Sequence, residues 1–253
     1  MQLTYFFDVC SMWCALSDAV LAEIQKRYGD RVPITRKIAL INDGAPLAAG
    51  LEQEQWYYQR CEVTTGRRFN HRWIEKRGQL TWLPNALIYA SEKLGQGHKV
   101  HEALKIAGLT RGEPILRRDV ALQIAVSATG ASRTELENAL DDPETSSTIS
   151  ASSAEFNAFA VTQRPAFVIR SEIEDTAIFS GIYRAEPILA AIDAMIADEN
   201  AYAQFAATHP PIPKYLLLAE GLRVAAPEKA EQLPDPHTDH CPRTTPTSQR
   251  RQS

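Results

Sequence analysis

Two thiols and a hydroxyl lie close together near the start of the sequence, where an apolar stretch runs into a helical pattern. The side chains are those of Cys10, Ser11 and Cys14. Residues 3–7 are almost all aromatic or aliphatic, which is typical of a strand buried on both faces. After the turn, apolar residues recur at helical spacing as far as Gly29. The pattern therefore places thiol chemistry, or anion binding by a hydroxyl, on a strand-turn-helix.

The start of this helix is expected to set the properties of both groups. Ser11 is the predicted N-cap, because its hydroxyl can accept a bond from a first-turn N–H, and Cys14 is then the third helical residue. A negative charge near a helix N-terminus is stabilised by up to about 2 kcal/mol. We therefore expect Cys14 to be the most acidic thiol, with an alkylation midpoint below about 8.5, the free-thiol value. The alternative is a buried Cys14 that packs as a small hydrophobe under Trp13.

This layout resembles the DsbA-like family of thioredoxin-fold proteins. DsbA- and FrnE-type oxidoreductases carry Cys-Pro-Trp-Cys or similar at this turn. Their branch of kappa-class glutathione transferases and 2-hydroxychromene-2-carboxylate isomerases carries Ser-Pro-Tyr-Ser or similar. Aligned on Asp8 and Leu16, the sequence reads Ser-Met-Trp-Cys at residues 11–14. By this resemblance, Ser11 occupies the position of the nucleophilic cysteine or of the glutathione-facing serine, and Cys14 keeps the resolving position.

The resemblance implies two enzymatic schemes. A thiol-disulfide oxidoreductase needs a thiolate that attacks a disulfide and a second thiol that releases the mixed intermediate. Here Cys10, one residue upstream, must replace the attacking thiol, and it can form a disulfide with Cys14 only if their Cα atoms lie within roughly 7 Å. In the other scheme, Ser11 donates a hydrogen bond to a glutathione thiolate.

We favour a DsbA-like thiol-disulfide oxidoreductase or thiol-handling enzyme that requires no cofactor. A glutathione-dependent isomerase or transferase is the alternative, with glutathione as its candidate cofactor, and a catalytically silent binding protein is the third interpretation. Relatives hold the γ-glutamyl end of glutathione with Gly-x-Asp-Arg before the last helix. This chain has Gly-Ile-Tyr-Arg at residues 181–184, so Tyr183 replaces the acidic residue.

Four further residues belong to the predicted binding site: Trp13, Asn85, Arg164 and Pro165. The resemblance implies that Pro165 is cis and faces the active turn, whereas from sequence alone only about one X-Pro bond in twenty is cis. It also implies that Asn85 approaches the glutathione site; without the resemblance, Asn85 is interpreted as a surface cap. Arg164 either brings a cation against the active turn, which selects an acidic substrate, or is an exposed loop residue.

Aromatic residues are frequent in one helical segment and the loop after it. Trp56, Tyr57 and Tyr58 lie in the helical segment 52–65, and residues 66–73 mix aromatic with charged side chains. One interpretation is a helix and loop packed by aromatic anchors. The other makes the arginine and aromatic side chains a wall of the substrate cleft.

The order of the elements predicts an α/β, thioredoxin-like fold with a large all-helical insertion. Alternating residues 32–40 predict a second strand, parallel to the first, and strands return at residues 164–169 and 177–179. We assign residues 1–48 and 163–205 to the thioredoxin-like core and residues 49–162 to the insertion. Within the insertion, Ser132 and Glu135 have the spacing of a capping box. Residues 206–253 form a C-terminal extension, expected to be largely disordered after about residue 227.

Composition excludes several partner classes. The chain has 253 residues, 44% hydrophobic and 23% charged, and a net charge of −4, so we expect no attraction to nucleic acid or to a membrane. The predicted partner is a small-molecule or thiol substrate, and a homodimer is left open. The start of the sequence lacks the pattern of a secretory signal, so we predict a cytoplasmic protein whose cysteines are thiols.

Potential metal ligands crowd the tail of the sequence at His237, Asp239, His240 and Cys241. Nothing nearby fixes their geometry, and no second cluster completes a site. We therefore predict no metal site.

Overall fold

The computed structural model describes residues 1–47, 51–75 and 78–209, with the side chains of residues 51–54 left aside. The strands are β1 (Gln2–Phe7), β2 (Ile34–Ile38), β3 (Ala166–Arg170) and β4 (Thr176–Ser180). The helices are α1 (Met12–Leu16), α2 (Asp18–Tyr28), α3 (Leu51–Thr65), α4 (Trp82–Glu92), α5 (Gly97–Lys105), α6 (Arg118–Thr129), α7 (Arg133–Asp141), α8 (Pro143–Ala158) and α9 (Glu186–Thr208).

The sheet is built around β1, the strand that leads into the reactive turn. Its order is β2-β1-β3-β4, with β1 parallel to β2 and antiparallel to β3. On one face, Tyr5 packs against Phe7 and Phe167, with ring centroids 5.6 and 5.0 Å apart. On the other face, the ring centroid of Phe6 lies 5.7 Å from that of Phe156 in α8. The prediction of a strand buried on both faces is confirmed.

The long segment between β2 and β3 is helical. Residues 51–75 and 78–162 form helices and turns and contain no strand. Helix α4 packs against α5 and α7, and α5 packs against α6. The predicted thioredoxin-like fold with a helical insertion is therefore confirmed, while the residue limits assigned to core and insertion stay a prediction. Within the described ranges, no helix combines the length and the apolar character that a membrane span requires.

The capping box at the start of α7 is confirmed. The Ser132 hydroxyl accepts a bond from the Glu135 N–H at 3.2 Å, and the Glu135 carboxylate accepts one from the Ser132 N–H at 3.0 Å. The metal-ligand types of the tail, and most of the predicted extension, lie outside the described residues.

One hydrophobic cluster joins the sheet to the inserted helices. It contains Leu3 and Phe7 of β1 together with Leu104 of α5 and Leu122 of α6, all buried. Residues 1–207 form one compact unit. Because the two parts share a core, we expect them to unfold together.

We predict that Leu122→Ala lowers the free energy of unfolding by about 2–5 kcal/mol, because it leaves a cavity at a fully buried site. Circular dichroism and tryptophan fluorescence, followed through a urea titration, should report one coincident transition for both proteins. Val63→Ala is the control, since Val63 is 88% exposed and its truncation should change stability by less than about 0.5 kcal/mol. Separate transitions for the two signals would show that sheet and insertion are independent.

Candidate active site

The turn after β1 has the predicted cap. The Ser11 hydroxyl accepts a hydrogen bond from the Cys14 N–H at 3.3 Å, so Ser11 is the N-cap of α1 and Cys14 its third residue. Helix α1 is five residues long and is separated from α2 by Ser17, whose N–H donates to the Cys14 carbonyl at 3.0 Å. A helix this short has few aligned peptide dipoles behind Cys14.

The buried carboxylate of Asp8 holds the turn in place. Its Oδ1 accepts bonds from the Cys10 N–H and the Asn85 amide, both at 2.8 Å. Its Oδ2 accepts bonds from the Ile41 N–H at 2.9 Å and the Thr81 hydroxyl at 2.8 Å. Burial raises the pKa of Asp8, and these four donors act against that rise. The carboxylate thus joins the reactive turn to the end of β2 and to the start of α4.

Sequence reasoning used Asp8 only to align the motif and missed this role. An acidic residue directly after an apolar strand was the available signal, because a carboxylate at that depth requires donors.

Asn85 is fully buried beneath the turn, so its interpretation as a surface cap is wrong. Its amide donates to the Asp8 carboxylate and to the Thr81 carbonyl, and its side-chain oxygen accepts from the Val9 N–H at 3.0 Å. The reason is tertiary: α4 starts against the end of β1, which turns a polar helix residue inward. Asn85 supports the turn from behind and does not line the cavity described below.

The burial and acidity of the cysteine thiols differ from the sequence prediction. Cys10, Cys14 and Cys61 are all free and all buried. Burial raises the pKa of Cys14 to about 12, although the Ser11 hydroxyl and the Asp8 backbone favour its thiolate. Burial, followed by the charge of Asp8, raises the pKa of Cys10 well above its usual value, and burial also raises that of Cys61. The prediction that Cys14 is an acidic thiol is wrong, because loss of solvent outweighs the favourable contacts of one helical turn.

The proline before β3 has the predicted conformation. The Arg164–Pro165 peptide bond is cis, and the Pro165 carbonyl accepts a bond from the Gly181 N–H at 2.8 Å. Residues 162–164 lie against the same cavity as Cys10 and Ser11. The segment that leads into Pro165 therefore faces the turn, while Pro165 itself is buried.

Arg164 is neither an exposed loop residue nor an unpaired cation. Its side chain is only 9% exposed and forms an ion pair with Asp43 at 3.0 Å. Its guanidinium also donates to the carbonyls of Ala39 and Thr162, and lies 4.2 Å from the centroid of the Phe156 ring. The exposed-loop interpretation is wrong, because the side chain ties the proline segment to the end of β2.

A cavity of about 440 Å³, here called the Ser11 cavity, opens at the turn. It is lined by residues 10–13, 41–42, 47, 57–58, 73 and 162–164. Tyr57, Tyr58 and Trp73 therefore form part of its wall, and the Trp73 indole N–H donates to the Tyr58 hydroxyl at 2.7 Å. Trp56, by contrast, is 56% exposed and is not part of the lining, so the interpretation of these aromatic residues as the wall of a substrate cleft stays a prediction. Arg67 and Arg68 are exposed and are not part of the lining.

Trp13 lines the cavity and also contacts two residues at its rim. The Tyr183 ring lies 5.4 Å from the Trp13 ring, and the Arg60 guanidinium lies 5.7 Å from it. Tyr183, which by the resemblance stands where relatives carry an acidic residue, therefore packs against Trp13 with the two rings tilted by 46°. Among the described residues that line the cavity, none is acidic. The cavity combines a serine hydroxyl and aromatic walls with a cation at its rim.

The chain matches the family model described as the DSBA-like thioredoxin domain over residues 2–193. It belongs to the DSBA-like thioredoxin family. Members of this family include oxidoreductases and isomerases. No curated protein matches the chain by sequence.

Solved structures of this family share the fold. A Nitrosomonas europaea protein provisionally named a protein disulfide isomerase has a TM-score of 0.65 at 17% identity, covering 78% of this chain and 98% of its own. The cytosolic disulfide reductase DsbM from Pseudomonas aeruginosa, solved with GSH, has a TM-score of 0.59 at 16% identity, with coverages of 78% and 100%. 2-Hydroxychromene-2-carboxylate isomerase has a TM-score of 0.56 at 15% identity, with coverages of 80% and 99%.

We predict that Cys14 in the folded enzyme shows no alkylation midpoint at or below about 8.5, where a free thiol ionises. Because burial raises its pKa to about 12, the rate should still be rising well above that pH. Rates for each cysteine are measured by mass spectrometry as a function of pH, and the urea-unfolded protein is the control. A plateau near neutral pH that is lost in Cys14→Ser would contradict the buried thiol.

We also predict that Thr81→Val destabilises the protein by about 1.5–3 kcal/mol, the worth of a hydrogen bond to a charged group. The substitution keeps the shape of the side chain and removes one of the four donors to Asp8. Thr81→Ser is the matched control, because it retains the hydroxyl. Equal stabilities of the valine and serine variants in urea unfolding would mean that this bond contributes nothing.

Proposed function

We propose that this protein is a thiol-dependent isomerase or transferase, in which a bound low-molecular-weight thiol of the glutathione class supplies the reacting sulfur. The observation that carries the proposal is the contrast between Ser11 and the cysteines. Ser11 lines the cavity, whereas Cys14 is buried behind the turn with its pKa raised to about 12. A protein thiol in that state is a poor nucleophile at neutral pH.

The hydrogen bonding of Ser11 supports a role as donor to a ligand. Its oxygen accepts the Cys14 N–H, and its proton can donate either to the Cys14 sulfur, whose thiolate it favours, or to a group in the cavity. A thiolate held there is stabilised by a charge-assisted hydrogen bond. This arrangement lowers the pKa of the ligand sulfur and leaves the protein cysteines as packing groups.

The surroundings of Ser11 favour an anionic thiol and an aromatic second substrate. The cavity volume is within the range of small-molecule sites, about 300–1,000 Å³. Arg60 at the rim can pair with a carboxylate of the thiol ligand, and Tyr57, Tyr58 and Trp73 offer rings for stacking. Tyr183 packs against Trp13, and the described lining offers no carboxylate for the γ-glutamyl amine of glutathione. We therefore name the class of anionic thiol and not glutathione alone; the DsbM relative solved with GSH supports that class.

Thiol-disulfide exchange through Cys10 and Cys14 is the second candidate. It is favoured by two observations: Cys10 lines the Ser11 cavity, and both thiols are free. Family membership supports it as well. The raised pKa values of both thiols weigh against it, because the turn must open before either thiolate forms.

The proposed location is the cytoplasm. Three described cysteines are reduced thiols, and the DsbM relative is named as cytosolic. A homodimer stays open in this proposal.

We predict that Ser11→Ala weakens binding of glutathione, measured by calorimetry, by about 1.5–3 kcal/mol or roughly ten- to a hundredfold, because one bond to a charged sulfur is lost. The bound thiol should also lose its lowered pKa, read from ultraviolet thiolate absorbance against pH. Ser17→Ala is the matched control, since that hydroxyl donates to the Trp13 carbonyl and does not line the cavity. If wild type and Ser11→Ala bind glutathione with equal affinity and with the same thiol pKa, the proposed function is wrong.

The same purified proteins also test the second candidate function, thiol-disulfide exchange through Cys10 and Cys14. Wild type that reduces insulin disulfides, and loses this activity in Cys10→Ala, would identify Cys10 as an attacking thiol. Ser11→Cys, tested in a Cys10→Ala background, rebuilds a Cys-x-x-Cys turn and should gain disulfide chemistry above wild type if the turn retains a dithiol architecture.

A further inference from the structure

A second cavity, of about 790 Å³ and here called the β2 cavity, lies along the edge strand of the sheet. It is bounded by β2, by α8 and by the facing ends of α4 and α5. None of its lining residues lines the Ser11 cavity. Any chemistry here is therefore separate from the thiol site.

Three potential metal ligands meet on α5 at this cavity. His98, His101 and Glu102 are spaced i, i+3 and i+4, which places them on one face of the helix. One ligand atom from each lies within 4.8 Å of the other two. His98 and His101 also line the β2 cavity. Two imidazoles and a carboxylate are the donor set of many catalytic zinc sites.

The environment of the buried His101 ring supports a metal site independently of the ligand spacing. The residue is only 5% exposed, and its ring packs edge-on against Phe7 at 5.0 Å between centroids. Its buried Nδ1 makes no hydrogen bond of good geometry among the described residues, and its contact with Glu102 Oε1 at 3.4 Å is an ion pair only when the imidazole is protonated. An orphan buried nitrogen is unfavourable and rare, so it requires an explanation. An ion that accepts the Nδ1 lone pair would supply the missing partner.

The spacing of the ligand atoms fits a small tetrahedral ion. His101 Nδ1 and Glu102 Oε1 are 3.4 Å apart, too far for a hydrogen bond of ordinary geometry. Two ligand atoms that bind zinc at about 2.0–2.1 Å with tetrahedral angles lie about 3.4 Å from each other. His98 is exposed, so its ring can rotate to close the remaining distance.

We propose that His98, His101 and Glu102 bind a divalent transition metal ion, with zinc as the best match, and that the β2 cavity holds its fourth ligand. Nitrogen ligands favour zinc and its first-row neighbours, whereas magnesium and calcium prefer oxygen ligands alone.

The neighbouring charges bear on this site in two ways. Lys105 lies 2.7 Å from each oxygen of Glu102 and is also paired with Asp18, so it fixes the orientation of the Glu102 carboxylate. Each carboxylate oxygen has a second lone pair, which remains for the metal. The Arg36 guanidinium, whose Nη1 lies 3.5 Å from His98 Nδ1, repels a metal cation. Because Arg36 is exposed, its side chain must move towards solvent when the metal binds.

Binding is tested on the full chain by titration with zinc chloride in competition with a chromophoric chelator, and by cobalt substitution. Wild type should bind one equivalent, and the cobalt form should show the visible bands of tetrahedral nitrogen and oxygen coordination. His98→Ala and Glu102→Gln should each weaken binding by at least roughly 10–100-fold, the loss typical when a group that orients a ligand is removed. Neither change alters a fully buried side chain.

Two controls separate this site from others. Lys99→Ala changes an exposed neighbour on the same helix and should leave the affinity unchanged. A variant with His237→Ala, His240→Ala and Cys241→Ala removes the candidate ligands of the tail and should also bind as wild type. The proposal is overturned if wild type binds no zinc, if His98→Ala binds as tightly as wild type, if the tail variant loses the site, or if cobalt shows sulfur-to-metal charge transfer from a cysteine.

Discussion

A fully buried carboxylate organises the reactive end of this protein. Asp8 ends the central strand and accepts four hydrogen bonds, two on each oxygen. Its partners are backbone N–H groups of the reactive turn and of the segment after β2, and side chains at the start of α4. A buried charge without donors is very unfavourable, so these elements are held together by its need for partners. The position of Ser11 in the lining of the cavity follows from this constraint.

The hydrogen bonds of Asp8 also determine which side chains of the turn are buried and which line the cavity. Asp8 and Asn85 draw the turn down against α4, and the thiols of Cys10 and Cys14 are buried with it. Desolvation then holds both as neutral thiols, and the break at Ser17 leaves one helical turn to oppose it. Ser11 needs no ionisation to donate a hydrogen bond, so its chemistry is compatible with this environment.

Two side chains near the reactive turn, Arg164 and Tyr183, are held by packing contacts. Arg164, before the cis proline, is paired with Asp43 and covers the ring of Phe156. The ring of Tyr183 packs against that of Trp13 at 5.4 Å between centroids. The Arg164 cation that lines the cavity is therefore paired, and Tyr183 adds no charge at neutral pH. The guanidinium of Arg60 lies 5.7 Å from the Trp13 ring and brings a second positive charge close to the cavity.

The sequence by itself determined the local features of this protein. The strand over residues 3–7, the Ser11 cap, the capping box of Ser132 with Glu135 and the helical insertion depend on neighbours a few residues apart, which periodicity and spacing report. The cis peptide bond before Pro165 was predicted from the family resemblance and not from the local sequence. Tertiary structure alone decided the acidity of Cys14, the burial of Asn85, the ion pair between Arg164 and Asp43, and the unpaired nitrogen of His101. Desolvation and partner choice depend on residues that lie far apart in the chain and meet only when the sheet and the inserted helices pack together, and no local pattern encodes those distances.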